Sequence, residues 1–291
     1  NILIVADLEG SSGCWNRRAA SFMTDEWSRA CVEMTRDINA VVQALFSAGV
    51  KRVTVKDFHR TAYNLLPEGM DPRAQLVSGY RLGPVLGLGD PGGARAAMFI
   101  GMHAASGTDG FLAHTLTSRI QHLEVNGRQL TEVELFSASL APHAVKPVFY
   151  SGCPVACAQA KEAIAGIHAY PIDKSNGPGD FDANRWRSGL ARAAVESLDS
   201  SLAKPYAPTG PFHAVVTMQH GATAARRWSL AHDGERIFID AHDLNDLYHK
   251  LVRLCYLTPL AMKVLPMTLS VNNVKGRIGL EWVRRRLKLK R

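Results

Sequence analysis

The segment ILIVADLEGSSG, residues 2–13, joins an apolar run directly to two carboxylates. Its first four residues are aliphatic, which is typical of a buried strand. Asp7 and Glu9 follow at once, although an unpaired carboxylate at the end of a buried strand is energetically costly. The pattern therefore indicates that the two acids meet a specific partner: a helix cap, a salt bridge, a sugar hydroxyl or a metal ion.

Histidines follow two other predicted strands in the same way. RVTV at 52–55 precedes His59, and AAMFIGM at 96–102 precedes His103. The carboxyl ends of the strands in an open parallel sheet meet at one crevice, and ligands bind there. We therefore expect both histidines to lie beside the carboxylates that follow the first strand.

Carboxylates and imidazoles together form a typical ligand set for zinc and similar divalent ions. One bridging carboxylate can hold two such ions about 3.5–4 Å apart. Taken singly, these side chains have ordinary roles as caps, solvated loop acids and hydrogen-bonded loop histidines, so it is their joint position that favours a metal site. A nucleotide-binding loop is not favoured, because EGSSG lacks both the GxxxxGK and the GxGxxG pattern.

A predicted helix over residues 131–141 supplies one more carboxylate. Thr131 and Glu134 match the T-x-x-E capping box, so Glu134 has a structural role at the start of the helix. Glu132 lies in the first turn of the same helix and has no such role. We therefore expect Glu132 to be free to face a cation.

His114 lies in FLAHTLTS, residues 111–118, which we predict to be one arm of a hairpin. IQHLEVNG at 120–127 is the other arm, and Asn126-Gly127 is a strong turn signal. A histidine inside a strand ordinarily finds its partners within the sheet. If the hairpin folds over the metal cleft, His114 becomes a candidate proton shuttle or nucleophile.

Strands and helices alternate through the first part of the chain. A predicted helix runs from its cap at Thr24 to Gly49, and the strand at 145–152 precedes a helix at 154–165. This alternation indicates an α/β domain with a mainly parallel sheet and helices on its faces.

A proline-rich stretch beginning at Lys204-Pro205 separates this domain from a predicted smaller α+β domain. The smaller domain consists of predicted strands at 212–218 and 235–241 and a helix at 243–262. We therefore predict three segments: an α/β domain at 1–204, an α+β domain at 205–270, and a basic extension at 271–291.

The composition of the 291-residue chain, 46% hydrophobic and 21% charged, is that of a globular protein with one large or two smaller domains. No apolar run approaches the 18 residues of a membrane span, and no signal peptide is visible. The five cysteines are odd in number and lack zinc-finger spacing, which predicts reduced thiols and a cytoplasmic protein.

The net charge of +8 is concentrated at the end of the chain. Residues 271–291 hold eight basic side chains and one acid, so that segment carries +7 of the total. We interpret it as a solvated terminus or docking extension. The alternative from another functional class is a nucleic-acid-associated or scaffold protein that acts through this tail, although no nucleic-acid-binding module accompanies it.

A series of short motifs, in this order, resembles the zinc D-aminopeptidase family. The family patterns are D-x-E-G-x-S-G, D-x-H, G-x-H-A, His followed by Ser or Thr, and N-x-R-x-x-x-E. They correspond here to ADLEGSSG (6–13), DFH (57–59), GMHA (101–104), AHT (113–115) and NGRQLTE (126–132). The resemblance covers about residues 1–165 and, more weakly, 212–262.

The resemblance implies a dinuclear zinc site in a Rossmann-like α/β domain that is joined to a smaller domain. It implies that Asp7 bridges both ions and that His114 is an essential active-site histidine that does not bind them. The remaining implied ligands form two pairs: Glu9 with His59, and His103 with Glu132. Assembly into a ring-shaped homo-decamer is also implied.

The function implied by the resemblance is metal-assisted hydrolysis that releases N-terminal D-amino acids from short peptides or amides. Residues 151–157 and 170–189 depart from the family pattern and are candidates for shaping the substrate pocket. The nearest alternative is therefore a related metal-dependent hydrolase or biosynthetic enzyme that acts on a specialised small amide.

Overall fold

A computed structural model describes residues 1–289, which form eleven strands and eight α-helices in that range. The strands are β1 (Ile2–Ala6), β2 (Val53–Asp57), β3 (Gln75–Val77), β4 (Ala96–Met102), β5 (Ile120–Val125), β6 (Arg128–Gln129), β7 (Lys146–Gly152), β8 (His168–Pro171), β9 (Phe212–Met218), β10 (His232–Asp233) and β11 (Arg236–Ala241). The helices are α1 (Asp25–Ser47), α2 (Glu132–Leu140), α3 (Pro154–Ala163), α4 (Ala183–Glu196), α5 (Gly221–Arg227), α6 (Leu244–Tyr256), α7 (Pro259–Lys263) and α8 (Leu265–Leu287). None of these helices combines the length and apolar character that a membrane span requires.

Six parallel strands form the first sheet, in the order β3-β2-β1-β4-β7-β8. The order reverses between β1 and β4, which is the topological switch point of a Rossmann-like sheet. Strand β1 is buried along its whole length and pairs in register with both β2 and β4. The predicted α/β fold class with a mainly parallel sheet is confirmed.

The second sheet is antiparallel and has the order β10-β11-β9-β5-β6. Strand β5 precedes residue 204 in the chain, yet it pairs with β9, which follows that residue. The apolar residues of β5, Ile120, Leu123 and Val125, are buried there. One boundary of the proposed domain division, at residue 204, therefore runs between strands of a single sheet.

The predicted hairpin between residues 111–118 and 120–127 is wrong. Leu112 and Leu116 have φ angles of 48° and 61°, which break the extended conformation, so residues 111–118 form a loop. The Asn126-Gly127 turn instead connects β5 to β6. His114 consequently lies in a loop, where its backbone N–H donates to the Ala104 carbonyl at 3.0 Å.

The single helix predicted at 243–262 is two helices, α6 and α7. Pro259 lacks an N–H and disfavours helical backbone in the residue before it. Thr258 is accordingly extended, at φ −115° and ψ 162°, and its hydroxyl caps α7 by accepting from the Ala261 N–H at 3.1 Å.

Most of the predicted basic extension belongs to α8, which packs against the first sheet's layer of helices. Trp282 stacks over Trp27 of α1 with ring centroids 6.1 Å apart. Arg284 pairs with Glu68 at 2.9 Å and Arg286 with Asp25 at 2.5 Å. Residues 271–287 are therefore part of a packed helix and not a free solvated tail. Residues 290–291 lie outside the described part of the chain.

Candidate metal centre

The backbones of β1 and β4 approach each other closely where both strands end. The Asp7 N–H donates to the Ile100 carbonyl at 2.8 Å, and the Gly10 N–H donates to the Gly101 carbonyl at 2.7 Å. Gly101 has a φ of 81°, and a Cβ on it would overlap the carbonyl oxygen of Asp7. The glycine in GMHA is therefore required for the approach that brings the two strand ends together.

We expect Gly101→Ala to lower the free energy of unfolding by about 3 kcal/mol or more, because left-handed strain and overlap with the Asp7 carbonyl add together. Gly127→Ala is the matched control, since Gly127 has the same φ of 81° but open space around its Cα. That control should cost only about 1–2 kcal/mol. Urea unfolding of both variants measures the difference. Equal losses of unfolding free energy would show that the overlap with the Asp7 carbonyl adds no cost.

Five side chains from four segments converge at this edge of the sheet. Two acids follow β1, one histidine follows β2, another follows β4, and the fifth member opens α2. Each residue is at most 7% exposed: Asp7, Glu9, His59, His103 and Glu132. The structure thus brings together all five predicted ligand positions, and Thr131 and Glu134 form the predicted capping box next to Glu132.

His59 turns one ring nitrogen toward two carboxylates. Its Nδ1 lies 2.8 Å from Glu9 Oε2 and 3.2 Å from Asp7 Oδ1. Its Nε2 lies 3.2 Å from the Ala20 carbonyl oxygen, which can only accept a hydrogen bond. In the neutral ring Nε2 therefore carries the proton, and the Nδ1 lone pair faces two acids. This arrangement requires a cation, either a proton or a metal ion, between the three groups.

His103 repeats the arrangement on the other side of Asp7. Its Nε2 lies 3.5 Å from Asp7 Oδ2 and 3.4 Å from Glu132 Oε1. Its Nδ1 lies 3.2 Å from the Ala104 carbonyl, so the lone pair of the neutral ring again faces the acids. A carbonyl that receives the second ring N–H is the usual support of a metal-binding histidine. The two oxygens of Asp7 thus face different histidines, as a bridging carboxylate would.

The three buried carboxylates concentrate negative charge at the centre. Within residues 1–289 their ion-pair partners are histidines, with no lysine or arginine among them. Glu9 Oε2 is buried, and the described residues offer it no hydrogen-bond donor besides the ring of His59. Carboxylates and imidazoles that lie this close together, without a lysine or arginine to neutralise the acids, are a donor set suited to Zn²⁺.

Proton binding in the centre reflects burial and charge together. Burial, and then the charge of Glu9, raise the pKa of Asp7, and burial raises the pKa of Glu132 to about 7. Burial alone would raise the pKa of Glu9, but the charge of His59 holds it well below its usual range. Burial would lower the pKa of His59, yet the charge of Glu9 raises it to about 10. The neighbouring carboxylates therefore favour the protonated, positively charged form of His59.

His114 lies against this centre from the loop at 111–118. Its ring stacks on that of His103, with centroids 3.7 Å apart and planes 14° from parallel. Its Nδ1 is 2.8 Å from the Leu112 carbonyl and its Nε2 is 3.9 Å from Glu9 Oε1. Burial and the neighbouring His103 lower its pKa.

The potential ligand atoms fall into two groups, each within 4.8 Å: one of Asp7, Glu9 and His59, the other of His103, His114 and Glu132. Geometry alone therefore also permits His114 as a ligand.

A buried lysine that the sequence analysis did not identify holds the loop behind the two acids. Lys174 Nζ donates to the carbonyls of Ser11 and Cys14, the latter at 2.6 Å, and lies 4.5 Å from the centre of the Trp15 ring. These contacts join residues more than 150 positions apart, so no local pattern could reveal them. Segment 170–189, which departs from the family pattern, therefore helps to position the loop at residues 7–14, which we call the metal loop.

A second clamp on the same loop comes from α1 and α4. Asp37 accepts from both the backbone N–H and the hydroxyl of Ser12, each at 2.7 Å. Arg187 donates to Asp37 at 2.9 Å and also pairs with Glu33 at 2.7 Å. The carboxylates of the metal loop are therefore presented on backbone that is fixed from two sides.

We expect Lys174→Met to weaken metal binding by about 10–100-fold, the usual effect of removing a group that orients the ligands. The free energy of unfolding should fall by about 2 kcal/mol because buried carbonyls lose their donor. Lys51→Met, at an exposed lysine, is the control. Competition with a chromophoric chelator measures the affinity, and an unchanged metal Kd would contradict the positioning role.

Comparison with known proteins agrees with this architecture. The curated D-aminopeptidase of Bacillus subtilis (strain 168) is 29% identical over 199 residues, which cover 68% of this chain and 67% of that protein. A solved structure, described as "Zn-dependent D-aminopeptidase DppA from Bacillus subtilis, a self-compartmentalizing protease", superposes with a TM-score of 0.79 at 21% identity. It covers 88% of this chain and 97% of its own, and it establishes a shared fold. The family model for D-aminopeptidases matches residues 1–251. The chain therefore belongs to the D-aminopeptidase family of peptidases.

Proposed function

We propose that this chain is a dinuclear zinc hydrolase that releases N-terminal D-amino acids from short peptides or amides. Its family supplies the peptidase class, and its structural neighbour is described as zinc-dependent. The observation that carries the proposal is the orientation of His59 and His103. Each directs a ring nitrogen toward buried carboxylates and its other nitrogen toward a backbone carbonyl.

The donor set divides naturally between two ions. Asp7 would be shared between them, because its Oδ1 faces His59 and its Oδ2 faces His103. Glu9 and His59 would hold one ion with it, and His103 and Glu132 the other. When bound, the ions would polarise the scissile carbonyl and lower the pKa of water toward neutrality.

His114 is proposed as the catalytic residue that moves a proton or attacks the substrate. The Leu112 carbonyl can only accept, so Nδ1 of the neutral ring donates to it and Nε2 keeps a lone pair. Stacking on His103 holds the ring in this orientation beside the centre. General base and nucleophile both require that lone pair, and both roles remain open.

The proposed enzyme acts as a homo-oligomer, with a ring decamer as the family-like form. The description of the structural neighbour as self-compartmentalizing supports assembly from copies of this fold. All five cysteines are unpaired and buried, which agrees with the predicted cytoplasmic location.

The function is tested by hydrolysis of D-alaninamide and L-alaninamide by the purified protein. We expect release from the D-isomer to be faster, to disappear after exhaustive chelation and to return when Zn²⁺ is added. Equal activity before and after complete metal removal would refute the metal mechanism. If the metal-loaded protein cleaves neither isomer, the D-amino-acid substrate is refuted and the alternative of a specialised amide substrate takes its place.

A further inference from the structure

Helix α8 carries an exposed apolar stripe on the face opposite its buried side. The stripe consists of Met267, Val271, Val274 and Ile278, whose exposures lie between 54% and 65%. These residues follow one another at intervals of four, three and four, so they share one helix face. Leu280 and Val283 on the other side are buried against the body of the protein. Contiguous exposed apolar patches of this kind usually mark interaction surfaces.

The α8 stripe has the spacing of a two-helix coiled-coil seam. It is also symmetric about the point between residues 272 and 273. In an antiparallel pair of α8 helices, Met267 would lie opposite the partner's Ile278, and Val271 opposite the partner's Val274. A two-fold interface has to be self-complementary, and this symmetric spacing meets that requirement for a second copy of the same helix.

Charge selects the antiparallel orientation. The end of α8 is strongly basic, and Arg285, with its side chain 80% exposed, continues the line of the α8 stripe. A parallel pair would bring the two basic ends together, whereas an antiparallel pair separates them. The basic residues that flank the stripe, Lys275 and Arg277, would then face the partner's Thr268 and the partner's Ser270, which are uncharged.

We propose that two copies of this chain associate through the α8 stripe in an antiparallel, two-fold contact. This contact rests on the proposed homo-oligomer and deepens it by naming one of its surfaces. The helix lies beyond residues 1–251, the part of the chain that the family model matches. The contact is thus a feature of this chain's own C-terminal segment rather than of the matched family region.

The mass of the full-length protein in solution, measured by light scattering, tests the contact. Val274→Asp places two carboxylates in each two-fold seam, so we expect its mass to fall to half of the wild-type value or less. Leu202→Asp is the matched control, because Leu202 is 71% exposed outside the stripe, and it should keep the wild-type mass. A monomeric wild type, or a Val274→Asp variant of unchanged mass, would overturn the proposal.

Cysteine cross-linking tests the orientation without adding charge to the seam. The five natural cysteines are buried, so an introduced thiol on α8 has little competition. Val271→Cys and Val274→Cys chains, co-expressed with different tags and mildly oxidised, should form more mixed dimer than either variant alone forms self-dimer. Cross-linking that is equal or stronger in the single variants would indicate a parallel pair and overturn the antiparallel contact. Neither readout depends on hydrolysis, so an inactive protein would refute the proposed function and leave this result standing.

Discussion

Asp7→Ala is expected to remove most of the bound metal and to reduce kcat/KM by at least about 10³-fold. Asp7 faces both histidines, at 3.2 Å from His59 Nδ1 and 3.5 Å from His103 Nε2, so its loss affects both ion positions. Metal ions contribute several kcal/mol of transition-state stabilisation, and about 4 kcal/mol corresponds to roughly 10³-fold in rate. Elemental analysis should give two ions per wild-type chain and well under one per variant chain.

Asp233→Ala serves as the control for this experiment. Asp233 is an exposed aspartate on β10, in the other sheet, and its removal should alter neither metal content nor rate. Retention of two ions per chain by Asp7→Ala would rule out the bridging role. Loss of one ion alone would assign Asp7 to a single position.

His114→Ala is expected to lower kcat by about 10²–10⁴-fold, the usual contribution of a positioned acid–base group. Metal content should stay at the wild-type level, because the resemblance makes His114 an active-site residue that does not bind the ions. The ring is held by the Leu112 carbonyl and by stacking on His103, so its deletion removes a lone pair beside the centre. Steady-state kinetics and elemental analysis of the same preparation measure both quantities.

His143→Ala is the matched control, since His143 is exposed in the short helix after α2. Added imidazole should restore part of the activity of His114→Ala if a proton acceptor is what that variant lacks. A loss of metal in His114→Ala would instead make His114 a ligand, as its grouping with His103 and Glu132 permits.

The convergence of the site could be predicted because it follows from a general property of parallel sheets. Carboxyl ends of neighbouring strands meet, so acids after β1 and histidines after β2 and β4 had to lie close together once those strands were identified. Glu132 was identified by elimination, because the capping-box pattern already gave Glu134 a role as acceptor of the Thr131 N–H at the start of the helix. These are local patterns of a few residues each.

The loop that carries His114 could not be predicted in the same way. Its alternation of apolar and polar residues resembles a strand, but positive φ angles at Leu112 and Leu116 bend it over the centre. Such angles cost free energy in an isolated chain and persist where the surrounding structure holds them. The hydrogen bond from His114 to the Ala104 carbonyl is one such tertiary constraint.

The sequence by itself determined the central strands β1, β2, β4 and β7, the ligand residue types and their placement at one sheet edge, because periodicity and strand-end position are local properties. The tertiary structure alone decided the contacts of Lys174 with the metal loop, the pairing of β5 with β9 and the docking of α8 on α1. Each of these joins residues far apart in the chain, and its stability depends on burial and packing that no short segment encodes.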